Sequence, residues 1–201
     1  MTRKRTHRVV VLTGPQFDDV EHFEIVQYFA NRGYYPDVVS DLRGEPSAQF
    51  HGNDPDKLGR QITVKRDVRQ VNLDDYDGVV VVGGYCTAYL RVPDDPGSGE
   101  ESASVQLVRA GMETAEMVVG IHCHSLWLLT GAQDLLRGRR VTTNHNVVWD
   151  ALNAGADVQF TEDGTRTLDV CVDGLLVTGR ERTSTHAFCD AVFTLLEREK
   201  R

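Results

Sequence analysis

The run Asp77-Gly-Val-Val-Val-Val82 constrains the fold of this chain more than any other stretch. Four consecutive β-branched residues leave no polar side for water, so the run is expected as a parallel strand buried on both faces. Such a strand needs partner strands on both edges and helices above and below. Other segments supply both. Arg8 to Thr13 reads as a second buried strand that stops at Gly14-Pro15, and Met117 to Ile121 as a third. Tyr35 to Ser40 reads as a strand as well. Arg139 to Thr142, Val147 to Ala154, Asp157 to Phe160, Leu168 to Val172 and Leu175 to Thr178 continue the alternation of strand-like and helix-like pieces.

The helices carry their own punctuation. Asp18 and Asp19 place carboxylates at the positive end of a first helix. Val20, Phe23, Val26 and Ala30 are expected as its apolar face, and Gly33 as its stop. Ser102 is expected to cap a helix running to about Ala115, and a terminal helix is expected from about Ser184 to Glu199. Residues 41–60 and 92–101 read as irregular loops, with a short strand at Gln61 to Val64. No composition break divides the 201 residues, so 1–201 is read as one domain, with 1–7 as a flexible N-terminus.

Charge and cysteine use exclude several classes of function. The net charge of −8 argues against nucleic acid or an anionic membrane as partner. No stretch approaches the ~20 apolar residues of a membrane span, and no apolar run follows Arg3-Lys4-Arg5 as in a signal peptide. A soluble, cytoplasmic protein is expected. Cys86, Cys123, Cys171 and Cys189 form no CxxC pair, so neither a disulfide framework nor a structural metal is suggested. The seven histidines show no HxxxH or HEXXH spacing, so no functional metal is expected.

Strands alternating with helices imply a parallel sheet whose ligand crevice lies beyond the strands' carboxyl ends. Three such ends converge: Thr13 to Glu21, Gly83-Gly84, and Cys123. Cys123 sits between a strand and a helical pattern (Leu126, Trp127, Leu129, Ala132), the setting of a nucleophile elbow. There the positive end of the new helix is expected to lower the thiol pKa and favour thiolate. A buried, inert cysteine is the competing reading. His124 is read as general acid or base, or as an imidazolium beside the thiolate, against a helix cap. His122 should point away by strand alternation and is read as structural. The backbone amides of Gly83 and Gly84 suit an oxyanion hole, although a Gly-Gly pair alone is only a turn signal. Glu21 and Asp18 face the same crevice. A carboxyl near a thiolate can stay protonated, yet both acids would complement the helix dipole in any case.

These residues resemble the ThiJ/PfpI family of the class I glutamine amidotransferase-like superfamily. The resemblance runs through Phe17-Asp-Asp-Val-Glu21, Asn72-Leu-Asp-Asp-Tyr-Asp77, Gly83-Gly84 with Ala88-Tyr-Leu-Arg91, and Ile121 to Leu129. It continues through Leu136-Arg-Gly-Arg-Arg-Val-Thr142, Asn153-Ala-Gly-Ala156 and Val172 to Arg180. It implies an α/β fold, a single flavodoxin-like three-layer sandwich with a mostly parallel sheet, helices on both faces and a nucleophile elbow. By the same resemblance Cys123 is the elbow cysteine, His124 the histidine after it, and Glu21 the acid that contacts the thiolate. Gly83 and Gly84 bind the oxyanion, Asp18 and Ser125 line the substrate pocket, and no organic cofactor is needed. Ser125-Leu126, His122, Tyr85, Cys86 and Arg182-Thr-Ser-Thr-His186 depart from the family pattern, which points to altered specificity.

The expected function is a cofactor-independent, cysteine-dependent enzyme, a hydrolase or lyase, acting on a small carbonyl, amide or isonitrile-like substrate. An oxidisable redox-sensing or protective protein and a specialised biosynthetic enzyme are the alternatives. A homodimer is expected, mainly from the resemblance. The first-helix aromatics Phe23, Tyr28 and Phe29, with His22, are the candidate interface.

Overall fold

The computed structural model describes residues 7–54 and 59–198. Its centre is a six-stranded sheet built from β1 (His7–Leu12), β2 (Tyr34–Val39), β5 (Gly78–Val81), β6 (Val118–His122), β9 (Val170–Asp173) and β10 (Leu176–Gly179). The strand order is β2-β1-β5-β6-β10-β9, parallel throughout except for the β9–β10 pair at one edge. Two small two-stranded sheets flank it, β3 (Ala48–His51) with β4 (Gln61–Val64), and β7 (Arg140–Val141) with β8 (Asp157–Val158). The helices are α1 (Asp19–Asn31), α2 (Cys86–Leu90), α3 (Ala103–Glu113), α4 (Gln133–Leu136), α5 (Val148–Asn153) and α6 (Thr185–Arg198). This is the expected mostly parallel α/β sandwich. Among the described residues no helix is long and apolar enough to cross a membrane.

Valine runs set the sheet interior. Val9 to Leu12 and Val79 to Val82 are fully buried. Val11 pairs with Val38 on one side and Val80 on the other, so β1 is covered on both edges. Where α6 crosses β6 the sheet needs a glycine. A Cβ on Gly120 would come 2.8 Å from the Phe188 ring.

Several local expectations change. The buried face of α1 is Glu21, His22, Ile25, Tyr28 and Phe29, rather than the stripe through Val20, Phe23, Val26 and Ala30. Burial of Ile25, Tyr28 and Phe29 favours this face, and the same rotation carries Glu21 to the sheet end. Tyr28, Phe29 and His22 are consequently covered within the chain. The Tyr28 hydroxyl donates to Asp190 of α6, and the Tyr28 and Phe193 rings meet edge-on. Phe23 is half-buried. Residues 41–60 contain a strand, β3, where a loop was expected. The expected flexible N-terminus at 1–7 lies outside the described residues except for His7, which opens β1. The expected helix end at Glu199 also falls outside them.

Phe29 is fully buried, its ring against Tyr28 of α1 and Tyr34 of β2. Phe29→Ala should lower unfolding stability by about 3–5 kcal/mol, read as a shifted guanidinium midpoint with unchanged far-UV circular dichroism before the transition.

Candidate functional site

Four strands of the central sheet end on the same edge, and each hands one piece of the site to the segment that follows. After β1, Asp18 caps α1, its Oδ1 accepting from the Val20 and Glu21 amides at 3.1 Å each. That cap sets the first turn and aims Glu21 at the sheet. After β5 come Gly83 and Gly84, the latter at φ +90°. Its backbone passes so close to Gln16 and Asp18 that a Cβ would meet the Asp18 amide nitrogen at 2.4 Å. After β6 comes Cys123, and after β10 come Glu181, Arg182 and Thr183.

Cys123 has φ +61°, a left-handed conformation that costs a non-glycine residue about 1–3 kcal/mol. The strain is held by hydrogen bonds around it. Thr143 Oγ1 donates to the Cys123 carbonyl at 2.9 Å, Ser125 Oγ to the Val82 carbonyl at 2.7 Å, and Thr87 Oγ1 to the His124 carbonyl at 3.3 Å. Ser125 is thereby turned to β5 and fully buried. Its hydroxyl pins the elbow and does not line the pocket as expected.

The thiol lies 3.1 Å from His124 Nδ1, and the His124 amide also approaches the sulfur. His124 Nε2 contacts Asn146 at 3.3 Å, and its ring packs against Tyr85 and Trp127. Partial burial holds the His124 pKa below its usual value, which leaves a neutral imidazole able to accept a proton at pH 7. On the other side stands Glu21, with 0% exposure. Burial, reinforced by the Asp18 carboxylate and opposed by Arg182, pushes its pKa up to about 8. Glu21 is therefore a carboxylic acid at pH 7. Neither of its oxygens makes a hydrogen bond of normal geometry. They face the Cys123 thiol and the Gly83 amide.

Two expectations are corrected here. The segment after Cys123 is a 3-10 helix over Cys123–Leu129, not an α-helix with a strong dipole. Cys123 is only 4% exposed, and burial, with Glu21 and Asp18 nearby, pushes the thiol pKa up instead of down. The Gly83 amide faces Glu21. Gly83 has a tighter reason to be glycine: a Cβ there would come 2.0 Å from Glu21 Oε2 and 2.7 Å from Cys123 Cβ.

A cleft of about 280 Å³ is lined by Asp18, Cys123, His124, Asn144, Glu181, Arg182 and Thr183. Larger hollows lie elsewhere, as at Asp74, Asp77 and Met117, but that one is not lined by a cysteine. The structure thus brings Cys123, His124, Glu21, Asp18, Gly83 and Gly84 together and turns Ser125 away. Sequence reasoning flagged Arg182 and Thr183 only as a departure that alters specificity, and it missed Asn144, Glu181 and the Asp18–Arg182 pair. Arg182 Nε donates to Asp18 Oδ2 at 2.5 Å, joining two loops across the cleft. The signal was available for the turn, since it follows a parallel strand at the same sheet edge. Among the described residues no group of three or more His, Cys, Asp or Glu side chains is placed to hold a metal.

With this geometry in hand, comparison with known proteins is informative. The model of the DJ-1/PfpI family matches residues 7–195. The chain is similar to General stress protein 18 of Bacillus subtilis, 29% identical over 191 residues that cover 95% of this chain and 98% of that protein. It is similar to a deglycase of Pyrococcus abyssi, 28% identical over 190 residues, or 94% of this chain and 99% of the other. Its fold matches the crystal structure of a ThiJ/PfpI domain protein from Brachyspira murdochii with a TM-score of 0.77 and 23% identity. That match covers 98% of this chain and 99% of that one.

The buried acid makes a pH prediction. Unfolded Glu21 ionises near its ordinary 4.5, whereas folded Glu21 keeps its proton to about 8. Between these values the folded state binds more protons, so the contribution of Glu21 is complete at low pH and declines as pH rises through 8. The stability of the protein relative to Glu21→Gln should fall across this window by up to about 1.4 kcal/mol per pH unit. Urea unfolding of both proteins from pH 5 to 8 checks it; a constant difference contradicts a neutral Glu21.

Proposed function

The chain belongs to the DJ-1/PfpI family, and from that premise we propose an enzyme in which Cys123 attacks a small electrophilic substrate without an organic cofactor. Aldehydes, ketoaldehydes, amides and isonitrile-like compounds are the substrate classes in view. One observation carries the reading. A cysteine held at φ +61° sits between a neutral imidazole 3.1 Å away and a buried carboxyl, at the floor of a cleft. A cysteine kept only for packing has no need of such strain.

On a carbonyl substrate the chemistry balances within these groups. His124 Nδ1 takes the thiol proton as the sulfur bonds to the carbonyl carbon, and the C=O π pair moves onto oxygen. The Gly84 amide donates to that developing oxyanion. The proton then returns from His124 to the oxygen, giving a neutral hemithioacetal with no net proton change. Asp18 and Arg182, Asn144 and Thr183 bound the space beside it and select what else the substrate can carry. The deglycase name of one relative fits hydrolase-type chemistry at this site.

The redox-sensing reading requires an exposed, low-pKa thiol. Burial of Cys123 and its raised pKa weigh against it. The stress-protein name of another relative keeps a protective role as the competing reading.

Methylglyoxal consumption tests the proposal. Cys123→Ala should abolish turnover with the fold intact, and full activity in that variant overturns the reading. Selective peroxide oxidation of Cys123, seen by intact mass, with no turnover of any carbonyl favours the protective role. Gly83→Ala should reduce turnover by roughly a hundred-fold, because Glu21 and Cys123 must move by about an ångström to admit the methyl group.

A further inference from the structure

Arg182 lies in the cleft with Cys123, and the proposed chemistry gives its guanidinium no task beyond forming a wall. It opens the segment 182–186, which departs from the family pattern. Its hydrogen bonds show what remains free. Nε donates to Asp18 Oδ2, while Asp18 Oδ1 is spent on the Val20 and Glu21 amides. Nη2 reaches Asn53 Oδ1 at 3.5 Å, too far for a strong hydrogen bond. Nη1 has no acceptor among the described residues and is not sealed from solvent, in a side chain that is 39% exposed.

Asn144 supplies a second free donor in the same cleft. The residue is buried, and its Oδ1 accepts from the Asn146 amide at 3.2 Å. A backbone N–H must meet the oxygen of that side chain, so Nδ2 is the end left over. Nδ2 has no acceptor among the described residues and is likewise open to solvent. The acids at the cleft are already matched, Asp18 by Arg182 and Glu181 by Arg180 Nη1 at 2.5 Å. Thr183 Oγ1 donates to Glu181 at 3.0 Å, and His124 Nε2 is taken up by Asn146. Two donors therefore remain without an acceptor, and one of them is cationic.

We propose that Arg182 and Asn144 form a carboxylate subsite, and that the substrate attacked by Cys123 carries a carboxylate near its electrophilic carbon, as a 2-oxo acid such as glyoxylate does. The proposal rests on the reading of Cys123 as nucleophile. A carboxylate offers two oxygens to the two donors, and a guanidinium N–H gives it a charge-assisted bond stronger than a neutral one. In glyoxylate the aldehyde carbon is bonded directly to the carboxylate, which suits a cleft of only about 280 Å³. A neutral ketoaldehyde would displace water from the same donors without replacing its hydrogen bonds, and a site built on polar donors discriminates against such a ligand. Arg182 and Asn144 are thus specificity-determining residues, selecting for charge beside the reacting carbon.

Two alkylating reagents of similar size test this without turnover. Iodoacetate and iodoacetamide each lose iodide to the Cys123 sulfur, whose proton passes to the buffer, and they differ in carrying a carboxylate or a neutral amide. Peptide mass spectrometry reads both rates at Cys123, each divided by the rate with N-acetylcysteine amide, a neutral free thiol. The normalised iodoacetate-to-iodoacetamide ratio should exceed about five in the wild-type protein. Arg182→Gln should lower it roughly ten-fold and Asn144→Ala about two- to three-fold. Removing Arg182 also leaves Asp18 unneutralised, so the double variant Asp18→Asn with Arg182→Gln separates attraction from cancelled repulsion. A ratio there that stays several-fold below wild type supports the subsite, and a return to the wild-type value overturns it. An unchanged ratio in Arg182→Gln overturns it as well. A wild-type ratio at or below one does so without any variant having to fold. Failure of the wild-type protein to consume any carbonyl counts against the proposed function alone, because the alkylation ratio is read independently.

Discussion

A single small volume beneath Gly83 is shared by the Glu21 carboxyl and the β-carbon of Cys123, and much of the architecture follows from keeping it filled. Gly83 contributes no side chain because there is no room for one. Helix α1 buries Ile25, Tyr28 and Phe29, the same face carries Glu21 inward, and Asp18 caps the helix by accepting from the Glu21 amide. Burying an ionised carboxylate would be costly, so the group stays protonated. The neutral acid is then available as a donor to sulfur.

The second constraint is backbone strain at Cys123. A left-handed cysteine persists only where its surroundings over-determine it. Hydroxyls from three separate segments do so, with Thr87, Ser125 and Thr143 each donating to a carbonyl at or beside the elbow. None of them is an acid, base or nucleophile. They spend hydrogen bonds on fixing where the sulfur sits, and rigidity there lets His124 approach it without lengthening the contact. The Asp18–Arg182 pair ties the loops after β1 and β10 together and gives the cleft a defined wall.

Much of this was legible in advance. The valine runs at Val9 to Leu12 and Val79 to Val82 could bury only in a parallel sheet, and Ser102 did cap its helix. The placement of Cys123 between a strand and a change of pattern marked the elbow. Where the reading failed, it failed on quantities that neighbours control. Phe23 and Val26 looked like core and are half-buried, because the face with Ile25, Tyr28 and Phe29 packs inward instead. Ser125 looked like pocket and is an anchor, because the hydroxyl found a carbonyl of β5. The thiol was expected to be acidified by a helix that winds instead as a 3-10 segment.

The order of residues by itself determined the α/β class, the strand that carries the cysteine and the chemical types available at the sheet edge. Periodicity and β-branching are local properties, and the carboxyl-end rule is a consequence of strand direction. Tertiary structure alone decided the protonation of Glu21, the depth of Cys123 and the arrival of Arg182 and Asn144 from segments far along the chain. Each of these depends on desolvation and on distances between groups remote in sequence, and no pattern within one segment encodes either.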